Sequence, residues 1–213
     1  DTFQFVIDDL GRHFHVYALD MLGFGKGTRT VPEGPTFNLL VDHVRQFMDA
    51  LGIEQTHLLG RSAGGWVAGL LAYESPDRLR NLILLSPAGL NVEPSPGIRR
   101  SGRSLPDRNQ LVSRTRGMVF DADAMPQERF ARMVDVQSEV LKEPGALESL
   151  DPLQQQMETA EIRKRYLLND RLTHIRVPTL FIWGEGDWME PMPTWTQEYD
   201  SIDGQLEKSS KPW

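Results

Sequence analysis

His57-Leu58-Leu59-Gly60-Arg61-Ser62-Ala63-Gly64-Gly65-Trp66 reads as the end of a strand, a sharp turn and the start of a helix, with a serine at the apex. Within it, Gly60-Arg61-Ser62-Ala63-Gly64 fits the G-x-S-x-G pattern of a nucleophile elbow. The pattern has a mechanical basis. A turn this tight holds the serine in a strained backbone conformation, and the small residues two before and two after it, Gly60 and Gly64, let strand and helix approach without a Cβ clash. Ser62 Oγ is then expected to stand clear of the sheet. The following helix aims its N-terminus at the same point, which makes the Ala63 N–H a candidate oxyanion donor. Since the pentapeptide is common by chance, its surroundings have to decide the fold.

Upstream, residues 1–11 carry Phe3, Val6, Ile7 and Leu10 at helical spacing before Gly11, which predicts an amphipathic helix lying on a sheet face. Val16-Tyr17-Ala18-Leu19 has the profile of a short buried parallel strand, closing on Asp20 and the loop Gly23-Phe24-Gly25-Lys26-Gly27. A dinucleotide reading of that loop fails. Thr28 stands where G-x-G-x-x-G needs glycine, and Pro32, Gly34 and Pro35 intervene before any helix. Phe37, Leu40, Val41, Val44, Phe47, Met48 and Leu51 then form an apolar stripe, with Thr36 as N-cap and Gly52 as the stop. His43 falls on the polar flank of this helix and reads as solvated.

Downstream, a helix from Trp66 to Tyr73 ends at Ser75-Pro76, and Leu82-Ile83-Leu84-Leu85 is the next buried strand. Strand and helix alternate over short connections, which predicts a parallel sheet with helices on both faces. After Leu90 the rhythm breaks. Residues 91–120 hold Arg99, Arg100, Arg103, Arg108, Arg114 and Arg116 against only Glu93 and Asp107, a composition that reads as a solvated surface ahead of an anion-binding patch. Helices are predicted over 126–141, with Phe130, Met133, Val134, Val140 and Leu141 buried, and over 158–168. The sheet returns at Val177–Trp183 and leads into Gly184-Glu185-Gly186-Asp187. There an acid stands just past a strand's carboxyl end, where catalytic groups collect in open α/β sheets; a helix-capping aspartate is the plainer alternative. No final strand is visible in residues 188–213.

The 213 residues allow one domain with an insertion. A net charge of −7 and a pI near 5.3 argue against nucleic acid as a partner. No apolar run reaches transmembrane length, so no stable membrane insertion is expected, and no signal-peptide-like start is present. The absence of cysteine excludes disulfides and thiolate metal sites and fits a cytoplasmic location. A first residue of Asp1 rather than Met suggests processing or a fragment.

Taken together, Asp20-x-x-Gly23-x-Gly25, the Ser62 elbow, Tyr73-Glu74-Ser75-Pro76-Asp77-Arg78 leading into Leu82–Leu85, and Pro178 to Asp187 resemble the α/β-hydrolase fold in order and spacing. Residues 41–52 and 118–125 are most similar to meta-cleavage-product hydrolases and related esterases. The resemblance implies a partial α/β-hydrolase fold: a core over 1–90, a helical cap over 91–172 and a core return over 173–213. It implies Ser62 as nucleophile, Asp187 as triad acid and the Ala63 N–H as oxyanion donor, with Gly60 and Gly64 shaping the elbow. Arg61, Trp66 and Arg132 are then the candidate substrate contacts, although Arg61 departs from the His or Asn common before the nucleophile. Cofactor and metal are expected to be absent, and the partner is a small-molecule substrate.

Two implied parts are missing from these residues. The triad order in this fold is Ser, acid, His, yet His13, His15, His43, His57 and His174 all precede Asp187. His57 and His174 lie at or before the amino ends of strands, about 15–20 Å from the catalytic edge at about 3.3 Å per residue. The family's third strand, which carries the second oxyanion donor, would precede Asp1, and its loss would leave a gap between the Val16 and Leu58 strands. The expectation is a serine hydrolase acting on an ester or a C–C bond next to a carbonyl, present as an inactive fragment. The alternatives are a non-catalytic binding or regulatory protein of the same fold, or a lipid esterase of lysophospholipase type.

Overall fold

The structure is a computed structural model describing residues 3–29, 36–93, 105–184 and 187. Three parallel strands, β1 (Thr56–Arg61), β2 (Leu79–Leu85) and β3 (Thr179–Ile182), pair in the order β1-β2-β3. Gly60 stands opposite Leu84, and Leu84 opposite Phe181, so the strands end level with one another. Helices flank the sheet. In chain order they are α1 (Ile7–Gly11), α2 (Phe37–Ala50), α3 (Ala63–Glu74), α4 (Arg108–Gly117), α5 (Gln127–Lys142), α6 (Ala146–Glu158), α7 (Ala160–Arg165) and α8 (Asn169–Leu172).

The core lies between α3 and one sheet face. Trp66, Val67, Leu70 and Leu71 pack with Leu79, Leu82 and Leu84, and α2 adds Phe37, Leu40 and Val41. Helix α3 is apolar nearly all round, as a helix must be when it packs against the sheet, α2 and α8. Among the described residues the opposite sheet face is thinly covered, with Leu180 52% and Ile182 47% exposed. Strand β3 is therefore a half-exposed strand of alternating burial rather than the buried run expected over 177–183.

The Val16–Leu19 strand does not form. Residues 16–21 adopt no regular structure, and Tyr17 is exposed. Among the described residues, the only ladder partner of β1 is β2, and backbone groups without a ladder gain nothing from an extended conformation. Ring contacts hold the segment instead: Phe14 stands edge-on to His57 at 5.7 Å, and Tyr17 edge-on to Phe47 at 5.9 Å. Helix α1 is shorter than expected, and none of its residues is buried.

Helix α2 matches its sequence reading at both ends. Thr36 Oγ1 accepts from the Leu39 N–H at 3.3 Å, and Gly52 takes a left-handed φ of 66° just past the end. Its His43 is less solvated than expected: Nδ1 is buried with no hydrogen-bond partner among the described residues, and desolvation lowers the imidazole pKa. The folded chain thus takes up this proton less readily than the unfolded chain, so stability falls as pH drops through the ordinary value of 6.5. The urea midpoint is expected to be lower at about pH 5.5 than at about pH 7.5, and His43→Gln to narrow that difference. An undiminished difference in the variant would exclude His43 as its source.

The connection between β2 and β3 holds α4 to α8. Helices α4 and α5 and the loop between them build a second small core from Leu111, Ala122, Phe130 and Val134. A capping box opens α4: Asp107 accepts from the Gln110 N–H, and Gln110 from the Asp107 N–H, both at 2.8 Å. The arginines here behave as surface residues. Arg108 pairs with Asp135 and Arg116 with Asp123, while Arg99, Arg100 and Arg103 lie outside the described residues. Helix α6 has no counterpart in the sequence reading, and Thr159, extended at φ −87° and ψ 117°, separates it from α7. The helix expected over 158–168 is accordingly a shorter α7 followed by a turn.

Candidate functional site

Ser62 occupies the turn between β1 and α3 with φ 52° and ψ −124°, a conformation that L-residues avoid unless their surroundings impose it. Here the surroundings do impose it. The Ser62 N–H donates to Leu85 O at 3.1 Å, while its carbonyl accepts from Trp66 N at 3.1 Å and Ala88 N at 3.0 Å. Its side chain is exposed past the carboxyl end of β1. Ala63 opens α3, so its N–H is among those that helix geometry leaves without an intrahelical partner, next to the serine and at the positive end of the helix.

Gly60 packs tightly into the turn, since a Cβ there would lie 2.7 Å from the Gly64 carbonyl carbon and 2.8 Å from Gly65 Cα. Gly64 does not: a Cβ on it would meet nothing within 4 Å. The second close approach belongs to Gly65, where a Cβ would sit 2.8 Å from Pro87 Cβ and 3.1 Å from Gly60 O. The helix therefore approaches the strand through its third residue, one position later than the motif suggests.

Asp187 follows the end of β3. It is half-buried, and its N–H donates to Gly184 O at 3.0 Å across the turn. By ladder spacing β1 and β3, which flank β2, lie about 9–10 Å apart; Ser62 directly follows β1, and Asp187 comes five residues after the end of β3. His57 is the second residue of β1, at its amino end, where Nδ1 meets Asn81 Nδ2 at 2.8 Å. His174 packs edge-on to Tyr73 near the far end of α3, at 6.3 Å. Among the described residues, no cluster of three or more His, Cys, Asp or Glu side chains could hold a metal ion.

The three candidate substrate contacts separate. Arg61 is exposed beside Ser62, and Arg132 is exposed on α5. Trp66 does not fit the expectation: it is fully buried, its ring lies 4.2 Å from that of Phe37, and Nε1 donates to Tyr166 O at 2.8 Å. With no exposed surface and its one donor satisfied, it has nothing left to offer a substrate.

Two residues of the site region were missed in the sequence. Ser86, just past β2, also has a positive φ, 36°, and its N–H donates to Ile182 O at 2.9 Å. Arg163 in α7 is fully buried. Neither has a local sequence signal, because both owe their state to neighbours distant in the chain.

Comparison with known proteins agrees with this geometry. The sequence profile of the alpha/beta hydrolase fold matches residues 1–204. The chain is 29% identical over 191 residues to the dihydrolipoyllysine-residue acetyltransferase component of the acetoin cleaving system of Cupriavidus necator, covering 90% of this chain and 50% of that protein. It is 29% identical over 189 residues to a 2-hydroxy-6-oxononadienedioate/2-hydroxy-6-oxononatrienedioate hydrolase of Paraburkholderia xenovorans, covering 84% and 62%. It is 27% identical over 208 residues to a monoacylglycerol lipase of Homo sapiens, covering 88% and 58%. These matches take in only half to three fifths of each relative's own length. Among solved structures, a 2-hydroxy-6-oxo-6-phenylhexa-2,4-dienoate hydrolase from Rhodococcus sp. strain RHA1 superposes with a TM-score of 0.74 at 22% identity, covering 88% of this chain and 68% of that one.

Proposed function

The chain belongs to the α/β-hydrolase fold family, and we propose that it carries the nucleophilic half of a serine hydrolase acting on an ester, or on a C–C bond next to a carbonyl, in a small organic substrate. One observation carries the reading: Ser62 is exposed in a strained turn, directly before the N–H groups that open α3. In the proposed mechanism Ser62 Oγ attacks the substrate carbonyl and gives its proton to an imidazole. The carbonyl oxygen takes the negative charge opposite the Ala63 N–H. Collapse of the tetrahedral species expels the leaving group, which takes up the proton, and water then frees the acid from the acyl-serine. Asp187 orients and stabilises the charged imidazole. The helices α4 to α8 act as the cap that shapes the substrate pocket.

No histidine of this chain is proposed as the base, so turnover by these 213 residues should be close to background, with at most the residual ~10³–10⁴-fold acceleration over water that survives loss of a triad member. Added imidazole can stand in for the base. The test is p-nitrophenyl acetate hydrolysis by the chain and by Ser62→Ala, each with and without imidazole. A Ser62-dependent increase on adding imidazole is expected. The absence of any difference between the two proteins would remove Ser62 as nucleophile, and robust Ser62-dependent turnover without imidazole would place the base inside the chain.

A second reading, a binding protein that kept the fold and lost the chemistry, is favoured by the position of His57 at the amino end of β1. It predicts no imidazole effect. The lipase among the relatives keeps a lipid ester in view as substrate, and comparing acetate with long-chain p-nitrophenyl esters separates the two substrate classes.

A further inference from the structure

We propose that Arg163 is a positioning residue for Ser62, acting from behind the elbow through Trp66 and the segment that follows β2. Its guanidinium is fully buried, and a buried charge is tolerated only where polar groups surround it. Nε donates to the carbonyls of Asn91 and Val92, both at 3.0 Å, Nη2 to Asn91 O at 2.8 Å, and Nη1 to Met157 O at 2.9 Å. Its Cζ also lies 5.2 Å from the centre of the Trp66 ring, within cation–π range. One side chain thus joins α7, the end of α6, the strand exit at 91–92 and the elbow helix.

The link to the nucleophile runs through two amides. The strained Ser62 backbone is held by the N–H groups of Trp66 and Ala88, which both donate to its carbonyl. Trp66 is in contact with both Phe37 and Arg163, and Gly89 sits so close to its ring that any Cβ there would run into the indole. Ala88 begins the short segment whose far end, Asn91 and Val92, Arg163 holds. Strain at one residue persists only when its neighbours over-determine it, and Arg163 fixes both donors at once. Lysine cannot reproduce this, because a single ammonium does not span carbonyls on two segments while lying over the ring.

That positioning serves catalysis rests on Ser62 being the nucleophile, but its test does not depend on turnover. Amide hydrogen exchange is followed by NMR in the full 213-residue chain for Arg163→Met and Arg163→Lys. Exchange at Trp66 and Ala88 is expected to quicken by about tenfold in Arg163→Met, and by less in Arg163→Lys, while the β1–β2 ladder amides stay within about twofold. Should Arg163→Met fail to fold, Arg163→Lys carries the test on the same two amides. Unchanged exchange at both, or equal quickening across the whole chain, overturns the proposal and leaves Arg163 with a structural role alone. Failure of the imidazole test instead removes the hydrolase reading and leaves these rates as they are.

Discussion

Gly60→Ala is expected to collapse the elbow, while Gly64→Ala, at the other end of the same pentapeptide, leaves it standing. A methyl on Gly60 points into the backbone of Gly64 and Gly65, which cannot yield without pulling the first turn of α3 off the strand. That is overpacking against main chain, with loss of the bonds that hold the strained Ser62, so the cost should reach about 3 kcal/mol or more. Gly64 lies inside the first turn of α3 with open space around its Cα, so alanine there brings only helix propensity, a gain of about 0.5–1 kcal/mol. Urea unfolding of the two variants beside the parent chain measures the contrast. Equal destabilisation would show that the motif's two glycines do the same job after all.

That contrast also marks how far the sequence could be read. The pattern G-x-S-x-G locates the turn and its strained serine, because those are local consequences of chain geometry. It misplaces the second close contact because that contact is with Pro87, on the neighbouring strand exit, and nothing within the pentapeptide encodes it. Helix α2 was legible for the same reason as the elbow: its cap, its stripe and its stop are all local. The Val16 segment failed for the opposite reason. Its composition suits a strand, but a strand exists only in its ladder, and no ladder partner lies beside it among the described residues. Arg163 shows the limit most clearly. In sequence it is one of three basic residues ending a polar helix; in the fold it is the buried one, because Asn91, Val92 and Met157 bring their carbonyls to it.

Trp66→Ala is expected to destabilise the chain by about 3–5 kcal/mol, the range for emptying a buried aromatic site. The ring fills the junction of α2, α3 and α7, tilted against Phe37 with the Arg163 guanidinium over it, and its truncation also leaves Tyr166 O without the indole donor. The exposed Arg132→Ala is expected to stay within about 0.5 kcal/mol, and urea unfolding compares the two. Because Trp66 and Arg163 touch, the double variant should lose less than the sum of the single losses, whereas Trp66 with Arg132 should be additive. A Trp66→Ala chain as stable as the parent would take the residue out of the frame behind the elbow. Otherwise the residue four places after the serine belongs to the frame behind the elbow, and Arg61, exposed beside Ser62, is left on its open side.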